Sequence, residues 1–255
     1  EKYSFNQFDV NSFHTSAARI LNNTPDAVFI APIFKTETLA LTIKLSEHEI
    51  PFSFIDSMLE EANFSTYYGQ NSTLSGYIAA KFISEGLSDG DSILVFRTNR
   101  KGSVSNQTKN RYTGFINYLE EYNLTSAINI IQVELPEDNT EENKLLIQQI
   151  IAQNPGIKAA ITFNSRVFRL ASKFEALGLS HLRLIGYDLL EQNIDYLKKG
   201  IISVLIAQRP EKQSYLSAKD MCKKLIFNQQ VNKINYMPID ILIKENIESY
   251  IHFSD

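Results

Sequence analysis

Residues 182–188 read Leu-Arg-Leu-Ile-Gly-Tyr-Asp. A short apolar run that closes on a carboxylate is too brief for a helix. It suits a strand buried on both faces, with its last side chain outside the sheet. Six more runs of this kind occur along the chain. They are Ala27–Ala31 (AVFIA), Pro51–Ile55 (PFSFI), Ser92–Phe96 (SILVF), Ile128–Val133 (INIIQV), Ala159–Phe163 (AAITF) and Ile202–Ala207 (ISVLIA). Tyr3–Phe8 is a further strand candidate.

Helical patterns fill the gaps. Ser72–Ser84 sets Leu74, Tyr77, Ile78 and Phe82 on one face, and Asn106–Tyr122 does the same with Tyr112, Phe115, Ile116 and Leu119. Asn139 and Glu142 form a capping box ahead of Leu145, Leu146, Ile150 and Ile151. Val167–Leu177 and Glu191–Lys199 each stop at a glycine, Gly178 and Gly200. Leu39, Leu41, Ile43 and Leu45 alternate as in a strand, yet two parallel strands flank them and require a crossover, so a helix is expected. Alternating strands and helices predict an α/β fold with open parallel sheets flanked by helices.

The polar residues that close the apolar runs are informative. PFSFI ends at Asp56, SILVF leads into Arg97, Thr98 and Asn99, AAITF ends at Asn164, LRLIGY at Asp188 and ISVLIA at Gln208. Ligands of parallel sheets bind outside the carboxyl ends of the strands, so these side chains are candidates for one pocket. Taken singly, Asp56, Asn164 and Asp188 are also ordinary turn or helix-capping residues. Arg111 falls early in the helix after SILVF, where its planar fork can bind vicinal hydroxyls or a carboxylate.

Composition excludes several classes. The 255 residues are 44% hydrophobic and 21% charged with a net charge of −4, and the densest basic cluster, Arg97–Lys101, holds only three cations, so direct nucleic-acid binding is not expected. No apolar run is long enough to span a membrane. The single cysteine, Cys222, rules out an internal disulfide, suits a reducing compartment and reads as a small core residue. His14, His48, His181 and His252 follow no metal-ligand spacing, and no phosphate-cradling or nucleophile motif occurs, so no cofactor, metal or catalytic residue is expected. Sequons at Asn22, Asn63, Asn71, Asn106 and Asn123 are read as chance in an Asn- and Ser-rich chain.

In order, DAVFIAPIF, IPFSFIDS, GQNSTLSGYIAAKFI, Asn110–Phe115 (NRYTGF), AAITFNS, LIGYD and SVLIAQRPEKQSYLSAKDMCKKL resemble the effector domain of the lactose-repressor (LacI/GalR) family, which has the type I periplasmic-binding-protein fold. NRYTGF is similar to the family's Arg-x-x-Gly-Phe and LIGYD to its Gly-Tyr/Phe-Asp. The resemblance implies two Rossmann-like lobes joined by three crossovers, near Tyr67–Gly69, Ile206–Gln208 and Asn235–Met237. Residues 1–68 with 207–236 would form the first lobe, lacking the family's first strand and helix. Residues 69–206 with 237–255 would form the second. It further implies a non-catalytic, cytoplasmic homodimer of the family type. In it a carbohydrate-like effector touches Asp56, Arg111, Asn164, Asp188 and Gln208, with Phe34 and Tyr187 flanking the sugar ring. DNA would be bound only through an amino-terminal helix-turn-helix outside this sequence. A periplasmic sugar-binding protein, a receptor ectodomain and an α/β enzyme using Asp56 or Asp188 are the alternatives.

Overall fold

The computed structural model describes residues 1–98, 106–136 and 140–253. Asn99, Arg100 and Lys101 of the basic cluster and Asn139 of the capping box lie outside them. The chain forms two compact units, residues 1–71 with 209–238 and residues 72–208 with 239–255.

In the first unit, helix α1 (Val10–Asn23) precedes strand β1 (Val28–Ile30), helix α2 (Lys35–Glu47), strand β2 (Phe52–Asp56) and strand β3 (Tyr67–Gly69). Helix α8 (Pro210–Phe227) and strand β9 (Ile234–Tyr236) complete it. The sheet order is β1-β2-β3-β9, all parallel. Asp9 caps α1, its carboxylate accepting from the Asn11 amide at 3.0 Å. Phe13, Leu41, Leu45, Phe52, Phe54 and Tyr67 make the core.

The period-two stretch is helical, as the crossover argument requires. From α2 it is Thr38, Leu41, Thr42 and Leu45, at helical spacing, that are buried, while Ile43 is 60% exposed. The strand expected at Tyr3–Phe8 does not form; those residues are irregular and end in a turn before α1. Local bonds turn the segment into α1 instead, the Asn6 amide donating to Ser12 Oγ at 2.8 Å and the Phe8 amide to Asn6 Oδ1 at 3.0 Å. Cys222 is exposed on α8, not a core residue, because α8 turns Gln213, Ser217, Asp220 and Met221 inward.

The second unit carries strands β4 (Ser92–Thr98), β5 (Asn129–Leu135), β6 (Ile157–Thr162), β7 (Arg183–Tyr187), β8 (Val204–Ala207) and β10 (Asp240–Leu242). Their order is β10-β8-β7-β6-β4-β5, parallel except for β10, which runs antiparallel to β8. Its helices are α3 (Ser72–Ser84), α4 (Asn106–Glu121), α5 (Thr140–Gln153), α6 (Val167–Ala176), α7 (Glu191–Lys198) and α9 (Ile247–Phe253). One core layer joins the sheet to α3 and α4, through Ala79, Ile83, Phe115 and Leu119. The other joins it to α5, α6, α7 and α9, through Ile147, Leu170, Phe174, Leu197 and Ile247. Gly178 and Gly200 end α6 and α7 with φ of +67° and +77°, a conformation that favours glycine.

Two helix faces differ from expectation. In α3, Leu74 is 47% exposed, and Ser75, Gly76, Ala79, Ala80 and Ile83 face inward. In α5, Leu145 is exposed and Ile147 is buried. The reason in α3 is close packing: a Cβ on Gly76 would stand 1.8 Å from the Arg111 carbonyl oxygen of α4, and one on Gly114 would stand 1.8 Å from that of Thr73. Backbones meet at these two positions, so small residues and not the bulkiest ones face the partner helix.

Candidate functional site

Close packing of α3 on α4 fixes the backbone of Arg111, whose side chain is only 1% exposed. Its guanidinium lies over the Tyr187 ring, 3.9 Å from the centroid. Nη1 donates to the Phe163 carbonyl at 2.9 Å, whereas Nε and Nη2 are buried without a hydrogen-bond partner. A buried guanidinium lacking a carboxylate is costly, and stacking on an aromatic face offsets only part of that cost. Two donors on one edge of the fork are thus available for a ligand's oxygens.

Tyr187 closes β7 and is fully buried. Burial pushes its phenol up to about 12, so the hydroxyl stays protonated and donates to the Ser75 carbonyl at 3.3 Å. Its ring carries Arg111. Asp188 follows at once, with φ of +69°. Its carboxylate Oδ1 accepts from Gln208 Nε2 at 2.9 Å, and its amide donates to the Ile206 carbonyl at 3.0 Å. Gln208 lies just beyond β8, and its Oε1 is 3.4 Å from Gln107 Nε2. Asn164, on the loop after β6, accepts through Oδ1 from the Arg166 amide at 2.8 Å, the turn-forming role open to any such Asn.

Asn193 was not foreseen from the sequence. Fully buried in α7, it accepts from the Phe168 amide at 2.9 Å and donates to the carbonyls of Ser165, Tyr187 and Asp188 at 2.8, 3.2 and 3.0 Å. One side chain thereby ties the loops after β6 and β7. Its position four residues before an ordinary leucine gives no local cue to that role.

In the first unit, Asp56 ends β2 with the same φ of +69° as Asp188. Its amide donates to Gln213 Oε1 at 3.0 Å, and its carbonyl accepts from the Tyr67 hydroxyl at 3.2 Å. Left-handed backbone at a non-glycine strand end costs about 1 kcal/mol and is over-represented where function requires it. Phe34 caps α2 without a side-chain bond, its ring 6.0 Å from Phe5 and 5.8 Å from Phe13. Of the predicted residues, Arg111, Tyr187, Asp188 and Gln208 therefore lie at the strand ends of the second unit along with Asn164, and Asp56 and Phe34 belong to the first.

Among the described residues no group of three or more His, Cys, Asp or Glu could hold a metal ion. None of the described helices is long and apolar enough to cross a membrane. What remains is a hydrogen-bonding constellation: a cationic fork, a carboxylate and two amides.

The family model for the periplasmic binding protein domain matches residues 1–229. No curated protein sequence matches the chain. Among solved structures, a candidate LacI transcriptional regulator from Bacteroides fragilis is 38% identical with a TM-score of 0.87, over 96% of this chain and 85% of that one. A solute-binding protein from Agrobacterium radiobacter in complex with D-arabinose is 20% identical with a TM-score of 0.78, over 96% and 83%. An ABC transporter solute-binding protein from Actinobacillus succinogenes with bound D-allose is 20% identical with a TM-score of 0.80, over 97% and 87%. The last two likenesses concern the fold, which is that of type I periplasmic binding proteins. The chain belongs to the periplasmic-binding-protein domain family.

Proposed function

We propose that this chain is the ligand-sensing domain of a LacI-type transcription regulator, and that its ligand is a sugar. The observation that carries the sugar-binding part is the buried Arg111 fork with Nε and Nη2 unpartnered, on the same strand ends as the Gln208-held carboxylate of Asp188. Neutral polyols are recognised by this pairing, donors from arginine and an acceptor from aspartate, each bond to a charged group being stronger than a neutral one. Tyr187 serves as the platform that holds Arg111 flat, and Asn193 holds the loop that carries Asp188. The regulator part is supported by the 38% identical relative.

In this reading Asn164 supplies a further amide at the strand ends of the second unit. A ligand that binds one arrangement of the chain better than another shifts the population toward it, and in a full-length dimer that shift would reach DNA-binding heads. No catalytic step and no cofactor enters.

A second reading, a sugar-binding protein of a transport system, is favoured by the family description and by the solute-binding proteins among the structural likenesses. Calorimetry with a panel of aldoses, D-arabinose and D-allose included, tests the sugar. A binder whose affinity is unchanged in Arg111→Ala and Asp188→Ala overturns the site. The full reading frame decides between the two roles, a helix-turn-helix upstream supporting the regulator and an export signal the transporter.

A further inference from the structure

The chain leaves the first unit after Asn71 and after Pro238, and enters it again at Arg209. Hydrogen bonds inside that unit gather beside all three places. Gln70 donates its Nε2 to the Pro238 carbonyl at 2.9 Å, and the Met237 amide donates to the Gly69 carbonyl at 2.9 Å. These bonds tie the end of β3 to the end of β9, where both strands run out of the unit. Gln213, four residues after the re-entry, accepts from the Asp56 amide at the end of β2.

Tyr67 joins the two groups of bonds. It is buried, and its hydroxyl faces two carbonyl oxygens, that of Asp56 at 3.2 Å and that of Gln70 at 3.1 Å. A phenol carries one proton to donate. Hydroxyl donors usually approach an acceptor to about 2.7–2.8 Å. Both contacts here are longer and nearly equal, as when one proton is divided between two oxygens. Gly69 makes room for the arrangement: a Cβ there would overlap the Tyr67 hydroxyl and stand 2.7 Å from the Asp56 carbonyl oxygen. Asp56 has a φ of +69°, a conformation that persists in a non-glycine residue only when its surroundings hold it. Gln213 holds its amide and Tyr67 its carbonyl.

We propose that the Tyr67 hydroxyl is a two-position latch. Donated to Asp56, it holds the turn that ends β2. Donated to Gln70, it holds the backbone where the chain leaves the unit. The turn at Asp56 and the crossover at Gln70 therefore share one equilibrium, and whatever fixes either is felt at the other. Tyr67 is a positioning residue, and Gln70 sets the balance, because its side chain anchors its own backbone to Pro238. The latch lies wholly within the first unit, so it does not depend on the sugar reading, which rests on Arg111 and Asp188.

The test is carbonyl NMR of the whole chain without ligand, since a carbonyl carbon moves downfield when its oxygen accepts a hydrogen bond. Tyr67→Phe removes the proton and is expected to move the Asp56 and Gln70 carbons upfield together. It should also speed hydrogen exchange about fivefold at the Ser57 amide, which shares a peptide group with the Asp56 carbonyl, the scale of one neutral hydrogen bond. Gln70→Met keeps the hydroxyl but loosens the Gln70 backbone, so the proton passes to Asp56 and the Asp56 carbon should move downfield. A tyrosine that merely fills space would not give opposite signs at Asp56 in the two variants. The buried Phe54 amide, which donates to the Thr66 carbonyl at 3.0 Å, reports the fold and should exchange as in the parent. An Asp56 carbon that moves the same way in both variants overturns the latch. So does a Gln70 carbon indifferent to Tyr67→Phe, or exchange raised as much at Phe54 as at Ser57. If Tyr67→Phe does not fold, Gln70→Met decides by itself, a downfield Asp56 carbon supporting the latch and an unmoved or upfield one overturning it.

Discussion

Gln208 donates its Nε2 to Asp188 Oδ1 at 2.9 Å, linking the residue after β8 to the residue after β7. The bond orients one carboxylate oxygen and leaves the charge in place, which is what a hydroxyl-binding acceptor needs. Asp188→Ala is expected to weaken sugar binding by about 1.5–3 kcal/mol, and Gln208→Ala by about 1 kcal/mol, since it removes only the orienting bond. Calorimetry with the same sugar on both variants checks the ranking.

The φ of +69° at Asp56 and Asp188 yields a separate stability test. Alanine at either position retains the left-handed cost and loses aspartate's tolerance for it. Glycine removes that cost but adds about 0.5–1 kcal/mol of unfolded-state entropy. Asp188→Gly is therefore expected to lie within about 1 kcal/mol of the parent in urea unfolding and above Asp188→Ala, with sugar binding weakened in both. Alanine as stable as glycine would show that the backbone there is not strained.

Arg111 should display the opposite signs of stability and function. Two of its buried nitrogens have no partner, so Arg111→Met exchanges an incompletely satisfied charge for apolar volume beside Tyr187. The variant is expected to unfold at an equal or higher urea midpoint than the parent while losing about 1.5–3 kcal/mol of ligand affinity. A strongly destabilised Arg111→Met would mean that the guanidinium is structural.

Gly76 and Gly114 set the distance between α3 and α4. A methyl group at either would stand 1.8 Å from a carbonyl oxygen of the other helix, which backbone cannot yield without moving the helix. Gly76→Ala and Gly114→Ala are each expected to cost about 3 kcal/mol or more, and Gly76→Ala should also weaken ligand binding because it displaces Arg111. Thermal unfolding and calorimetry on the same samples separate the two effects.

Acid stability should report on Asp220. Its carboxylate accepts from the Tyr68 hydroxyl at 2.5 Å and the Lys223 ammonium at 2.7 Å. Burial alone would raise its pKa, but the bonds from Lys223 and Tyr68 outweigh burial and hold it below the ordinary carboxylate range. A carboxyl whose pKa is lower in the folded state than in the unfolded chain stabilises the fold above the unfolded value and loses that contribution as pH falls through the folded one. The gap in urea midpoint between the parent and Asp220→Asn is therefore expected to be full at neutral pH and to shrink below about pH 4. A gap independent of pH would remove Asp220 from the explanation.

The sequence by itself determined the fold class. Seven apolar runs became strands because a strand buried on both faces needs only a short continuous run, and that requirement is local. The positions of Asp56, Asn164, Asp188 and Gln208 at or just past strand ends followed from the same boundaries. Three short strands, Tyr67–Gly69, Ile234–Tyr236 and Asp240–Leu242, left no such trace, since three residues are too few for a pattern. The tertiary structure alone decided which faces α3 and α5 bury. Leu74 is exposed and Gly76 buried because α4 approaches within backbone contact, and no spacing within α3 encodes its neighbour's distance. It alone decided that Arg111 lies on Tyr187 and that Asn193 ties two loops, for those partners are 76 residues apart in the first case and 28 at most in the second. Propensity and periodicity act over a few residues; hydrogen bonds and packing across a sheet depend on chain crossings that no short window contains.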